Sequence, residues 1–151
     1  METPASQYLP FRVARHDFAL PAACLRAVLP ARELEPVAPS PSFTRFFGEW
    51  TCGFVIIRGR DVPVVDLRVR LNLTHGTRGR YPCIVVVEIA TEDGPRLAGF
   101  LADRVAGIVH ARERDVVHGK LRFGGRSLRV FDPELLLAIG RPEVTGSQAP
   151  G

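Results

Sequence analysis

The histidines, cysteines and a few placed arginines are the residues of this 151-residue chain best able to do chemistry. His16, His75, His110 and His118 show no metal-ligand spacing with one another or with a cysteine, so no metal site is expected. Cys24, Cys52 and Cys83 lie far apart, and an odd number cannot all pair within one chain, so reduced, partly buried thiols are expected. Arg26 close to Cys24 would depress a thiol pKa, but a small buried hydrophobe is the simpler reading. No nucleophile elbow, phosphate-cradling loop or dinucleotide fingerprint occurs. Gly124-Gly125 between Arg122 and Arg126 has the composition of an anion site, yet reads better as a hairpin turn with solvated arginines. The chain is therefore read as a non-enzyme without a cofactor. Arg58 carries the most weight among the polar residues, because it follows Phe54-Val55-Ile56-Ile57 and precedes Gly59. Two readings stand: a solvated strand-end arginine, or a guanidinium partly buried between two halves of the molecule, its fork of donors tying strand ends together.

Those halves are visible in the chain. The block from Gly59 (Gly-Arg-Asp-Val-Pro-Val-Val-Asp-Leu) returns from Gly125 as Gly-Arg-Ser-Leu-Arg-Val-Phe-Asp-Pro, 66 residues on. Leu25-Arg26-Ala27-Val28 is echoed by Val105-Ala106-Gly107-Ile108, again upstream of the longer block. Two units are too few for a solenoid, so two similar subdomains packed face to face are expected. Residues 8–14 and 17–20 read as an opening hairpin turning at Arg15-His16. Residues 21–29 fit a helical turn or a third strand. The prolines of 30–41 predict an extended connection, and Ser42 a capped helical start.

Residues 52–57 and 61–65 read as a hairpin around Gly59, with Pro63 pointing to an edge or bulged strand. Residues 83–89 and 96–101 form a second pair across the turn at Glu92-Asp93-Gly94-Pro95, followed by an apolar stretch at 105–109. Asp66 and Asp132 both sit where strand character ends, and both read as caps of short helices. A polar loop at 74–80 joins the halves. Many short strands separated by turn residues predict an all-β fold of small barrels with a few short helices.

The hydrophobic fraction of 46% supplies a core, while no apolar run approaches the roughly 20 residues of a membrane span. The N-terminus lacks the charged start and apolar stretch of a secretory signal, so a cytoplasmic location without membrane insertion is expected. A net charge of +4 invites nucleic-acid binding. The basic residues are nearly all arginine, spread along the chain with acids between them, and Lys120 is the only lysine. A nucleic-acid module built on SH3-like barrels therefore stands only as the rival reading.

The run Ile57-Arg58-Gly59-Arg60-Asp61-Val62-Pro63-Val64-Val65-Asp66-Leu67-Arg68 resembles the CheW-like adaptor family of bacterial chemotaxis. Gly99-Phe100-Leu101-Ala102-Asp103-Arg104-Val105 and Leu128-Arg129-Val130-Phe131-Asp132-Pro133-Glu134 agree with the same family. The resemblance implies two five-stranded, SH3-like barrels related by a pseudo-two-fold axis. The expected domain spans residues 8–140, with subdomains at roughly 15–80 and 81–140, residues 8–14 shared, and flexible termini at 1–7 and 141–151.

It further implies a non-catalytic adaptor bridging the cytoplasmic tip of a chemoreceptor and the regulatory domain of a histidine kinase. Leu25, Val28, Arg58, Gly59, Val105 and Ile108 would then bind the receptor in a groove between the subdomains. Three departures mark a divergent member, of a pilus or other alternative system. Ile56 stands where the family has asparagine, and Ala27 where an acid is common. An insertion at 43–53 carries Phe46, Phe47 and Trp50, expected as core.

Overall fold

The computed structural model describes residues 6–35, 50–73 and 82–137. Ser42, Phe46, Phe47, the loop at 74–80 and the C-terminal tail lie outside the described residues.

Strands β1 (Ser6–Val13) and β2 (His16–Pro21) form the opening hairpin. Its turn is Ala14-Arg15, one residue earlier than expected, with φ of 49° and 74°. Two positive-φ residues give the primed turn whose twist suits antiparallel strands, although side chains with a Cβ resist that conformation. Asp103 holds it in place, its carboxylate accepting from the Ala14 N–H at 2.8 Å. Ser6 and Gln7, expected in a flexible terminus, instead pair with Ala111 and His110.

A 3-10 turn at Ala22–Cys24 leads into β3 (Leu25–Pro30), so both alternatives for this segment occur in succession. Strands β4 (Thr51–Ile57) and β5 (Arg60–Val65) form the second hairpin, and α1 (Leu67–Arg70) follows. The second half runs β6 (Cys83–Thr91), β7 (Gly94–Ala102), β8 (Arg104–Val105), β9 (Val109–Ala111), β10 (Val116–Val117), β11 (Lys120–Phe123) and β12 (Arg126–Val130). It ends in a 3-10 helix at Pro133–Leu136. Asp66 accepts from the Arg68 N–H and Asp132 from the Glu134 N–H, each at 3.0 Å, so both are the caps expected.

Among the described residues the strands make two curled sheets. One is ordered β3-β6-β7-β5-β4; the other is β10-β11-β12-β2-β1-β8, with β9 also against β1. The duplication holds at the level of register. Val64 and Val65 of β5 run parallel to Gly99 and Phe100, and Arg129 and Val130 of β12 run parallel to Phe18 and Ala19. Leu25 pairs with Val87 as Val105 pairs with Phe11.

The sheets do not follow the halves, however. The β1–β2 hairpin joins strands from the end of the chain, while β6–β7 joins β3, β4 and β5. Each half lends its first hairpin to the sheet built from the rest of the other, so the division expected at 80/81 does not separate the sheets. Strand number departs too, at seven and five. The counterpart of continuous β3 is broken into β8 and β9 around Gly107, and β10 adds a further short strand.

Pro63 is not on an edge strand, since β5 lies between β7 and β4. Phe54, opposite Pro63, gives its N–H and carbonyl to Glu35 on the far side. The Pro63 nitrogen therefore faces β7, where pairing begins only at Val64, and no ladder bond is lost. Gly53 permits that Glu35 bridge, because a Cβ there would lie 2.4 Å from the Glu35 carbonyl oxygen.

Alternation along the central strands fills three apolar clusters. In β6, Val85, Val87 and Ile89 face a core shared between the sheets, whereas Ile84 and Val86 face the inside of their own curl with Val55, Val62 and Val64. Burial on both faces is why this strand reads as an unbroken apolar run. The shared core centres on Phe11, Phe18, Phe100 and Phe131, with ring centroids 4.9 to 6.0 Å apart. Ala19, Ala111, Leu121 and Leu128 fill the other curl. Trp50 packs on the shared core, as expected for that aromatic, with the Arg70 guanidinium 4.2 Å from its ring centroid.

Candidate partner-binding surfaces

Arg58 and Gly59 form the two-residue tip of the β4–β5 hairpin, with φ of 53° and 78°. A tip of this type points away from the sheet, so Arg58 is exposed and not buried between the halves. Its guanidinium makes no hydrogen bond or ion pair among the described residues, and the solvated reading of Arg58 is the correct one. Leu25 and Val105 occupy equivalent places, each half-buried against the shared aromatic core. Three residues further along each copy, Val28 and Ile108 are 42% exposed. Arg58 meets Arg26 and Ala27 of β3, but no described contact joins it to Leu25, Val28, Val105 or Ile108.

The meeting place is a surface groove of about 390 Å³ whose lining includes Arg26, Ala27, Arg58, Arg60, Glu88 and Leu97. Arg26 donates from Nε to Glu88 Oε1 at 3.1 Å and from Nη1 to the Ala23 and Leu25 carbonyls, which fixes its side chain over the β3 edge. A second groove, of about 100 Å³, lies on the other sheet between Pro10, Arg12, Asp17, Ala106, Arg126 and Leu128. Here Asp17 accepts from Arg126 Nη2 at 2.6 Å and from Arg12 Nε at 3.1 Å.

Burial by itself would raise the Asp17 carboxyl, but the hydrogen bonds from Arg126 and Arg12, with their charges, outweigh it and hold the pKa below 3.8. A carboxyl depressed in the folded state stabilises above its unfolded pKa, and that stabilisation is lost as pH falls through the folded value. Urea midpoints measured across the acid range should therefore fall below about pH 4, and less steeply in Asp17→Asn than in the wild type. Parallel curves for the two proteins would show that Asp17 contributes nothing to the acid limb.

The thiols behave as the simpler reading holds. Burial pushes the Cys24 pKa up despite Arg26, and its thiol donates to the Pro21 carbonyl at 3.1 Å. Burial also raises the Cys83 thiol. Among the described residues no group of three His, Cys, Asp or Glu is placed to hold a metal ion, and no helix is long and apolar enough to cross a membrane.

Sequence reasoning missed Asp103. Its carboxylate binds Arg68 Nη2 at 2.7 Å as well as the Ala14 N–H, so one oxygen ties α1, the first turn and the β7–β8 link together. Arg68 and Asp103 were both legible as parts of separate motif blocks, but nothing local signals that they meet.

A family model for the CheW-like domain matches residues 7–141. The chain belongs to the CheW-like domain family. Over 110 residues it is 26% identical to the chemotaxis protein CheW of Rhizobium meliloti (strain 1021), covering 73% of this chain and 64% of that protein's length. It also superposes on the crystal structure of the scaffolding protein TtCheW from Thermoanaerobacter tengcongensis with a TM-score of 0.72 and 18% identity, covering 91% of this chain and 95% of the other. The two curled sheets are thus the two SH3-like β subdomains of a CheW-like fold, as the resemblance implied. In this CheW-like chain the motif arginine marks a hairpin tip, and the motif aspartates mark an inter-sheet tie and two helix caps.

Proposed function

We propose that this CheW-like chain is a non-enzymatic adaptor that couples a chemoreceptor to the regulatory domain of a chemotaxis-type histidine kinase through contacts on separate surfaces. The reading is carried by the Arg58-Gly59 tip, whose guanidinium makes no hydrogen bond or ion pair among the described residues and lines a groove with Arg26 and Ala27 of the edge strand β3, on which Val28 is 42% exposed. An apolar edge with one arginine suits the amphipathic helical tip of a receptor, which brings its own apolar stripe and polar flanks. Leu25, Val28, Arg58 and Gly59 form this surface. Val105 and Ile108 supply the equivalent surface on the second copy. The one acid of the larger groove, Glu88, is engaged by Arg26, and burial raises the pKa of the half-buried Cys24 thiol, which suits binding and not turnover.

The test is a titration of the purified chain against the receptor tip and the kinase regulatory domain from the same organism. Arg58→Ala should weaken receptor binding about tenfold, as expected for an interfacial arginine. Its melting temperature should not change, because Arg58 is exposed. Binding of the wild type to neither partner, or full receptor affinity in the variant, sinks the assignment.

A further inference from the structure

The two grooves are copies of one site, related by the duplication. The parallel registers make Ala98 the counterpart of Phe18, and therefore Leu97 the counterpart of Asp17. The cross-hairpin pair Arg12↔Asp17 corresponds to Glu88↔Leu97. Arg60 follows Gly59 at one hairpin tip as Arg126 follows Gly125 at the other. In one copy the site is satisfied from within, since Arg126 is bound by Asp17, and the groove is small, at about 100 Å³ against about 390 Å³ in the other. In the other copy an apolar leucine replaces the acid, and Arg60 and Arg58 make no hydrogen bond or ion pair among the described residues. The lining of this open groove carries four arginines, Arg26, Arg58, Arg60 and Arg96, against Glu88. Glu88 is already committed to Arg26. Asp61, next to Arg60, alternates to the opposite face of β5.

We infer that the open groove receives a carboxylate of a partner protein, seated over Leu97 and held by Arg60 and Arg58 in the position that Asp17 fills internally in the twin. The planar guanidinium matches a carboxylate with two parallel donors. The apolar floor of Ile57, Pro95 and Leu97 requires that the acid be flanked by apolar residues, so the occupant is an acidic, amphipathic protein segment. This deepens the adaptor reading and rests on it for the identity of the partner, while Arg60 and Leu97 lie outside the motif glycine and arginine.

Leu97→Asp supplies the missing acid from within, and Leu97→Asn controls for shape and polarity. The wild type, both Leu97 variants and Arg60→Glu are titrated with three probes: the receptor tip, the kinase regulatory domain, and a synthetic amphipathic peptide alternating glutamate and leucine. Leu97→Asp and Arg60→Glu should each lose about tenfold or more in affinity for the peptide and for whichever partner binds, with Leu97→Asn close to wild type. Undiminished binding in Leu97→Asp, or an equal loss in Leu97→Asn, overturns the inference and leaves the adaptor reading intact. A peptide bound with this pattern while both partners are ignored upholds the carboxylate site and removes the adaptor reading. Self-association of the wild type abolished by Arg60→Glu, or an oligonucleotide competing with the peptide, overturns the assignment to a partner protein.

Discussion

Phe131→Ala is expected to lower the stability of the whole molecule by about 3–5 kcal/mol, the usual cost of emptying a phenylalanine site in a core. Phe131 is 1% exposed and touches Phe11, Phe18 and Phe100, with centroid separations of 5.6, 6.0 and 5.2 Å. Those three rings come from β1, β2 and β7, so the cavity opens between the sheets and neither can close it alone. Edge-on and tilted aromatic pairs add about 0.5–1.5 kcal/mol each beyond area burial, which places the loss toward the upper end. Against a total stability of about 5–15 kcal/mol, this is a large share. Urea unfolding followed by circular dichroism and by Trp50 fluorescence should give one coincident transition at a lower midpoint. A midpoint near that of the wild type would mean that the aromatic cluster is not the centre of the core.

The second large effect concerns division of the chain. Fragments 1–81 and 82–151 should each fail to fold alone and should recover the native circular dichroism and a cooperative melt when mixed. The first fragment holds β3, β4 and β5 without the β6–β7 hairpin that carries their neighbours, and β1–β2 without β12. Each orphaned hairpin would expose an apolar face and unpaired strand edges, and an isolated hairpin is marginal in water. Recovery on mixing follows from the contacts being complementary and not from covalent continuity. A fragment that melted cooperatively by itself would contradict the interleaved sheet order.

What could be read beforehand was local. The turn at Gly94, the hairpin at Gly59 and the caps at Asp66 and Asp132 follow from a few adjacent residues, and each stands close to where it was expected. The duplication was legible as well, because its two copies kept their glycine, arginine and aspartate in register. The sheet assignment was not. It depends on two short parallel contacts whose partners are remote in sequence, and periodicity carries no information about which strand is the neighbour. Arg126 and Asp17 are 109 residues apart, so the ion pair that distinguishes one groove from the other had no local signature. Whether Arg58 is solvated or half-buried was left open for a related reason. The apolar run before it suggested depth, whereas the positive φ at Arg58 and Gly59 turns the chain outward at that point. Pro63 misled in the opposite way, since proline excludes a donor only where a neighbour is present to receive it.

The crossed lending of hairpins has a consequence for ancestry and for direction. A single-copy forebear with this topology would meet its own twin as a domain-swapped homodimer, both ends alike and obliged to grip identical ligands. Fusion into one polypeptide lifts that obligation, and here Asp17 stands at one end and Leu97 at the other. A chain with unlike ends has a polarity, and in the adaptor role proposed above it would order dissimilar neighbours along a line.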